Sequence, residues 1–186
     1  VCAGGNVYVT GYTYSTDFPG TAGGAQPESG GAPDAFASKL SPDLKQLVRS
    51  TYIGGNGVDN AFSVAYSGGN LYLAGNTHST DFPGTAEGAQ PTTGGNGDGF
   101  AALLNADLTQ IIRTTYLGGT GYDAAGKIVI SENVYVAGNT QSTDFPGTAD
   151  GAQPTYAGVV DCFVSKLSSD LKQLVQSTYL GGDADD

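Results

Sequence analysis

Apolar and polar residues alternate in short stretches along the whole chain. Residues 71–75 read LYLAG, and residues 111–117 read IIRTTYL. A period of two places successive side chains on opposite faces of a strand. Residues 62–67 and 100–104 are further short apolar stretches, which makes four predicted strands in this part of the chain. No stretch has the period of a helix, so the pattern predicts an all-β fold.

Glycine, proline and asparagine separate these predicted strands. Gly68-Gly69-Asn70 predicts a hairpin turn between the first two strands, and residues 105–108 predict a tight turn between the third and fourth. Residues 79–99, STDFPGTAEGAQPTTGGNGDG, predict a long loop between the second strand and the third. The four strands are therefore expected to pair in order as one antiparallel sheet.

The same pattern occurs three times. STDFPGTA is found at residues 15–22, 79–86 and 142–149, and VYVTG and VYVAG match LYLAG. A phrase repeated at a fixed spacing indicates an array of similar units. We divide the chain into residues 1–59, whose first strand is incomplete, 60–123 and 124–186. Four short antiparallel strands per repeat are typical of a β-propeller blade, so we expect three blades of a larger or oligomer-completed assembly.

Three longer segments resemble a known family. GNVYVTGYTYSTDFP, DAFASKLSPDLKQLVRSTYIGG and GNGVDNAF are similar to the bacterial SBBP repeat, which is named for a seven-bladed β-propeller. The resemblance covers all three repeats and departs little from the family pattern, with Ser131-Glu132-Asn133 in place of the Gly-Gly-Asn turn. It implies an extracellular or cell-surface protein, often large and modular, with no established enzymatic activity.

Three blades leave one sheet face without a neighbour at each end, because propellers have four to eight blades. We therefore expect further blades of the same type as partners, from the same chain or from another copy of it. A longer array, a six-bladed ring of two copies and a continuous filament all satisfy this expectation. The chain begins at Val1 instead of methionine, which favours a mature or excised piece.

The charge balance restricts the partners. The net charge is −11, and the seven basic residues are scattered singly, which disfavours nucleic acid and anionic membrane surfaces. No apolar run approaches the ~20 residues of a membrane helix, so we expect no membrane insertion. Cys2 and Cys162 occupy different positions of the repeat, and whether they form a disulfide or are two small buried apolar residues stays open.

Aspartate recurs at four equivalent positions of the repeat, and turn formation explains most of these positions. Asp59 and Asp123 end GGNGVD and GGTGYD, which fit the GGxGxD sequence of calcium-binding β-rolls. Those rolls repeat the motif every nine residues or so, whereas it occurs here once per repeat. Asp59, Asp123 and Asp186 are the candidate metal ligands, and Ca²⁺ is the one cofactor considered. The four sets are Asp17, Asp81 and Asp144; Asp34, Asp98 and Asp161; Asp43, Asp107 and Asp170; and Asp59, Asp123 and Asp186.

The STDFP loop supports two interpretations. In the structural one, its serine, threonine and aspartate bond nearby backbone N–H groups, and its phenylalanine anchors the loop to the sheet. In the functional one, its aspartate contacts a ligand, and tyrosines beside the loops stack on sugars. The candidate ligand surface consists of Tyr12, Tyr14, Tyr156, Asp17, Asp81 and Asp144.

Catalysis has little support in the sequence. The single histidine, His78, occupies the position of Tyr14 and Gln141 in the other repeats, which predicts a solvent-facing side chain. We therefore expect a protein that is not an enzyme and acts as a scaffold or interaction module. A glycan- or calcium-binding module is the alternative, and a polysaccharide-active enzyme with paired carboxylates is the third interpretation.

Overall fold

A computed structural model describes residues 1–31 and 33–186. The strands form three antiparallel four-stranded sheets, and one short 3₁₀ helix covers Thr85–Glu87. Sheet 1 contains β1 (Cys2–Ala3), β2 (Asn6–Thr13), β3 (Asp34–Leu40) and β4 (Leu47–Ile53). Sheet 2 contains β5 (Asp59–Ser67), β6 (Asn70–Thr77), β7 (Asp98–Asn105) and β8 (Ile111–Leu117). Sheet 3 contains β9 (Asp123–Ile130), β10 (Val134–Thr140), β11 (Asp161–Leu167) and β12 (Leu174–Leu180). The prediction of an all-β fold is confirmed.

Each sheet is built in chain order, so every strand pairs with the strand that follows it. β8 has the bounds expected from its alternation, whereas β5 begins three residues earlier than the apolar stretch at 62–67. The pairing of β5 with β6 shifts register between Ala61 and Ser63, and Phe62 lies in this bulge, half exposed. Gly75 is required opposite the bulge, because a Cβ there would lie 1.8 Å from the carbonyl oxygen of Asn60.

The sheets pack face to face, with sheet 2 between the other two. One apolar cluster joins sheets 1 and 2, and it includes Tyr8, Ile53, Leu73 and Leu104. A second cluster joins sheets 2 and 3. Every residue of β6 after Asn70 is buried, because both faces of this strand are covered. The outer faces of sheets 1 and 3 are covered by no other sheet of the described chain.

The cysteines and the helix content settle two smaller points. Cys2 and Cys162 are free thiols, the first exposed and the second half-buried. The interpretation of both as buried apolar residues is wrong for Cys2, because the two-residue strand β1 lies at the edge of sheet 1. Within the described chain, no helix has the length and apolar character needed to span a membrane.

Candidate functional site

A tyrosine hydroxyl holds each STDFP loop in place. The backbone N–H of Phe82 donates to the hydroxyl of Tyr116 over 3.1 Å, and this hydroxyl donates to the carbonyl oxygen of Ser79 over 2.8 Å. Tyr52 and Tyr179 make the same pair of hydrogen bonds in repeats 1 and 3. The sequence analysis assigned no role to these tyrosines. Their recurrence at one position was the signal that could have identified this role.

The loop phenylalanines anchor the loops, as the structural interpretation expected. Phe82 is 2% exposed, and its ring centroid lies 4.7 Å from that of Phe100. Phe145 is buried against Phe163 in the same way. Phe18 is only half-buried, because it lies on the outer face of sheet 1.

The serine and aspartate of the loop bond the connection, which is the segment between the last strand of the preceding sheet and the first strand of this one. The backbone N–H of Asn56 donates to Oδ1 of Asp81, and that of Gly57 donates to Oγ of Ser79, each over 2.8 Å. Thr120 bonds Asp144 and Gly121 bonds Ser142 in the same way, each over 2.9 Å. The expectation that the aspartate accepts hydrogen bonds from its own loop is therefore wrong, since the backbone donor lies about 25 residues earlier in the chain. Asp17 is exposed.

The last aspartate of GGxGxD closes the same connection. Asp59 is fully buried, and its carboxylate accepts hydrogen bonds from the Gly55 N–H over 2.9 Å, from the Ser79 hydroxyl over 2.7 Å and from the Thr77 hydroxyl. Asp123 has equivalent bonds from Gly119 and Ser142. These carboxylates are therefore bonded by protein donors at the start of β5 and β9.

Asp186 has the local geometry of this position without its burial. The Gly182 N–H donates to Oδ2 of Asp186 over 2.6 Å, and the Asp186 N–H donates to the Val160 carbonyl over 3.0 Å. Asp186 is exposed. Among residues 1–31 and 33–186, no three histidine, cysteine, aspartate or glutamate side chains come together to hold a metal ion. Calcium binding by Asp59, Asp123 and Asp186 stays a prediction.

Pairs of buried carboxyl groups flank a glycine at each junction between sheets. A Cβ on Gly118 would lie 2.8 Å from Oδ1 of Asp98 and 2.5 Å from Oδ2 of Asp123, so only glycine fits there. Both aspartates are fully buried, and Oδ1 of each accepts no hydrogen bond from the described residues. Burial raises the pKa of both carboxyl groups, and the pKa of Asp98 is raised further by the nearby charge of Asp123.

The same pair recurs at the first junction. Asp34 and Asp59 flank Gly54, whose Cβ would lie 2.5 Å from Oδ1 of Asp34 and 2.9 Å from Oδ2 of Asp59. Burial raises the pKa of Asp59. The sequence analysis treated Asp34 as a turn former and Asp59 as a candidate metal ligand, since nothing in a single sequence shows that positions 25 residues apart meet. Neither carboxyl of a pair is open to solvent, so the pairs do not form a surface for a substrate.

The structure brings together only part of the predicted ligand surface. Tyr12 and Tyr14 are 54% and 73% exposed, and their rings meet edge to face with centroids 6.3 Å apart. Tyr156 instead packs against Tyr179 in repeat 3 and donates a hydrogen bond to the Val159 carbonyl.

His78 is exposed and stacks on Tyr122, so the solvent-facing prediction is confirmed. A cavity of about 300 Å³ at the edge of sheet 1 is lined by Cys2, Ala3, Gly5, Asn6, Val7 and Pro42.

A turn of each following sheet is seated in the sheet before it. The turn from β7 to β8 contains Leu108, and the turn from β11 to β12 contains Leu171; both are fully buried with φ near +58°. Their carbonyl oxygens accept from the N–H groups of Ala25 and Ala89 over 2.8 and 2.9 Å. The equivalent Leu44 has the same φ but is 64% exposed.

Polar side chains complete this seat. The Tyr8 hydroxyl donates to the Ala106 carbonyl over 3.1 Å, and the Tyr72 hydroxyl donates to the Ser169 carbonyl over 3.0 Å. Arg113 donates to the Asp170 carbonyl over 2.6 Å and pairs with Glu87 over 2.9 Å. The two junctions inside the chain are therefore built by one set of contacts.

Comparison with known proteins gives no family. No protein-family model matches the chain, and no curated protein matches it. The function is therefore argued from the geometry above.

Proposed function

We propose that this protein is a non-catalytic scaffold or interaction module, made of propeller-type blades and acting outside the cell in a surface protein or assembly. The observation that carries the proposal is the hydrogen bonding of the polar side chains that recur with the repeat. At the internal junctions they bond backbone groups and one another instead of lining an open site. These side chains stabilise the packing of one sheet on the next.

The outer faces of the terminal sheets support the interaction role. Apolar side chains exposed there correspond to side chains that are buried in sheet 2. Burying a large apolar side chain contributes about 1.5–3 kcal/mol, so a partner that covers these faces gains a substantial free energy. The exposed residues are Val9 and Leu44 on sheet 1 and Val164 and Leu180 on sheet 3; the buried equivalents are Leu73, Leu108, Ala101 and Leu117.

The resemblance to SBBP repeats supports the extracellular location, and membership of that family belongs to the proposal. Three tandem four-stranded antiparallel sheets that pack face to face are the arrangement expected of neighbouring propeller blades. An acidic chain with a net charge of −11 fits a solvent-exposed surface module better than a protein that binds nucleic acid.

One observation favours glycan binding as a second function. Tyr12 and Tyr14 place two adjoining aromatic rings in solvent at one end of β2. Exposed tyrosines can stack on sugar rings and bond their hydroxyl groups. Tyr156 is not part of this pair, so the second function rests on Tyr12 and Tyr14 alone.

A glycan array together with a calcium melting series tests the proposed function. We expect no glycan signal above that of the Tyr12→Ala/Tyr14→Ala variant, and equal melting temperatures in millimolar Ca²⁺ and in chelator. Both tyrosines are exposed, so this variant should fold like the parent. A glycan signal that the variant loses, or a melting temperature that rises with Ca²⁺ concentration, would replace the scaffold proposal with a binding function.

A further inference from the structure

The junction between two sheets occurs twice inside the chain. The outer face of sheet 3 has one side of this junction, and the outer face of sheet 1 has the other side. We propose that copies of this chain associate head to tail, with the outer face of sheet 3 packed against the outer face of sheet 1 in a second copy. The inference rests on the proposed scaffold function, and it names the partner as a second copy.

Two contacts form each junction, and the first is made by the turn that contains Leu44 or its equivalent. A leucine in the left-handed region is strained, and this turn adopts that conformation in all three repeats. Leu108 and Leu171 are seated in the preceding sheet and fully buried. The turn that contains Leu44 has the same backbone conformation, but it is exposed to solvent and packs against no other sheet of the described chain.

The matching seat lies on sheet 3. Tyr135, Ala152 and Leu180 occupy the positions of Tyr72, Ala89 and Leu117, which surround the second junction. Leu180 is 63% exposed, whereas Leu117 is 1% exposed. By equivalence with the internal junctions, the Tyr135 hydroxyl donates to the Pro42 carbonyl of the second copy. The Ala152 N–H donates to the Leu44 carbonyl of that copy.

The second contact of the junction is made by the connection between two sheets and by its clamp, which is the serine and aspartate of the STDFP loop. Residues 181–186 of one copy have the closed turn of the internal connections, with the Gly182 N–H bonded to Asp186. On sheet 1 the clamp is also preformed, because the Ser15 N–H donates to the Thr13 hydroxyl over 3.0 Å as the Ser79 N–H does to Thr77 over 2.9 Å. Ser15 and Asp17 are exposed there and hold no connection among the residues that the structure describes.

In the associated pair, the Ser15 hydroxyl of the second copy donates to the Asp186 carboxylate. Its Asp17 carboxylate accepts the Asp183 N–H, as Asp81 and Asp144 accept Asn56 and Thr120 inside the chain. Both contacts require the same order of sheets. The seat and the connection belong to sheet 3, and the turn and the clamp belong to sheet 1.

One pair of opposite charges also meets at this contact. The Lys39 ammonium lies 2.8 Å from Oδ1 of Asp107 across the first junction. Lys166 occupies the position of Lys39 on sheet 3, and Asp43 occupies the position of Asp107 on sheet 1. Head-to-tail packing therefore places a lysine beside an aspartate. Because the two faces differ, such a contact propagates into a ring or a filament.

Sedimentation velocity with two end-blocking variants tests the association. Leu44→Asn removes the apolar turn residue and keeps the backbone, because asparagine tolerates the left-handed region. Leu180→Asp places a charge in the seat at an exposed position. We expect the parent's mean mass to rise with concentration, each variant alone to stay monomeric, and an equimolar mixture of the two to form dimers and nothing larger.

A monomeric parent at every concentration, or self-association retained by both single variants, would overturn the inference. If Leu180→Asp melts below the parent, Lys166→Asp replaces it on sheet 3, and if Leu44→Asn does, Asp43→Lys replaces it on sheet 1. An undiminished association of the replacement variant would likewise overturn the inference. A monomeric parent leaves the scaffold proposal with another partner, whereas a glycan signal that the Tyr12→Ala/Tyr14→Ala variant loses overturns the scaffold proposal whatever the mass of the parent. The two failures are therefore distinguishable.

Discussion

Sheets 1 and 2 contain the same STDFPGTA loop in different surroundings. Phe82 of sheet 2 is 2% exposed, and Phe18 of sheet 1 is half-buried. Leu108 is seated in a neighbouring sheet, and Leu44 is 64% exposed with the same φ. The repeated letters thus determine the strands and turns, while the presence of a neighbour determines which side chains are buried.

The same difference holds for the polar residues. Ser79 is buried because it clamps the connection that enters sheet 2, and Ser15 is exposed because no described connection reaches it. Equivalent substitutions in the two sheets should therefore have unequal effects on stability, which gives matched pairs of variants.

The largest difference is expected for the loop phenylalanines. Phe82→Ala should lower the free energy of unfolding by about 3–5 kcal/mol, because it leaves a cavity in a closed core. Phe18→Ala should cost clearly less, since its surroundings are open to solvent. Urea unfolding of both variants beside the parent measures the difference. Equal losses would show that the loop alone, and not the neighbouring sheet, sets the contribution of this residue.

The clamp serines should differ by a smaller amount. Ser79→Ala removes a hydrogen bond to the Asp59 carboxylate and the acceptor of the Gly57 N–H, and we expect a loss of about 1.5–3 kcal/mol. Ser15→Ala should change the free energy of unfolding by no more than about 0.5 kcal/mol in dilute protein. A large loss for Ser15→Ala would mean that its hydroxyl is already engaged within one chain.

The pH dependence of stability should have opposite signs for two aspartates of one junction. Burial raises the pKa of Asp123, so its ionised form is unfavourable in the folded state. The stability of the parent relative to Asp123→Asn should therefore increase as the pH falls from neutral through the folded pKa of this group.

Asp144 provides the matched contrast. The hydrogen bond from the Thr120 backbone lowers the pKa of Asp144, so the contribution of its ionised form is lost as the pH falls through that lowered pKa. The stability of the parent relative to Asp144→Asn should therefore decrease with falling pH. Unfolding curves at several pH values measure both differences, and slopes of the same sign would contradict the assigned surroundings of the two carboxyl groups.

The sequence predicts the local parts of this structure well. Alternation gives β8 with its observed bounds, and the repeat spacing places the three loops and their phenylalanine anchors. The bulge at Phe62 was missed because a shift of register depends on the partner strand. Local sequence also gave no sign that Asp98 and Asp123 flank Gly118.

The candidate site was predicted less well than the fold. The aspartates of STDFP were expected to bond their own loop, but Asp81 and Asp144 hold the connection from the sheet before them. The left-handed leucine turn was not expected at all, because its seat lies in another repeat. These features depend on contacts between units, and a pattern within one unit does not reveal them.

The central claim is that a neighbouring sheet determines what each repeated residue contributes, and Leu44 and Leu108 test it most directly. They share one backbone conformation and differ in burial. At concentrations too low for association, Leu108→Ala should lower the free energy of unfolding by about 2–5 kcal/mol, and Leu44→Ala should change it by no more than about 0.5 kcal/mol. Similar losses for the two variants, measured by urea unfolding, would contradict the account.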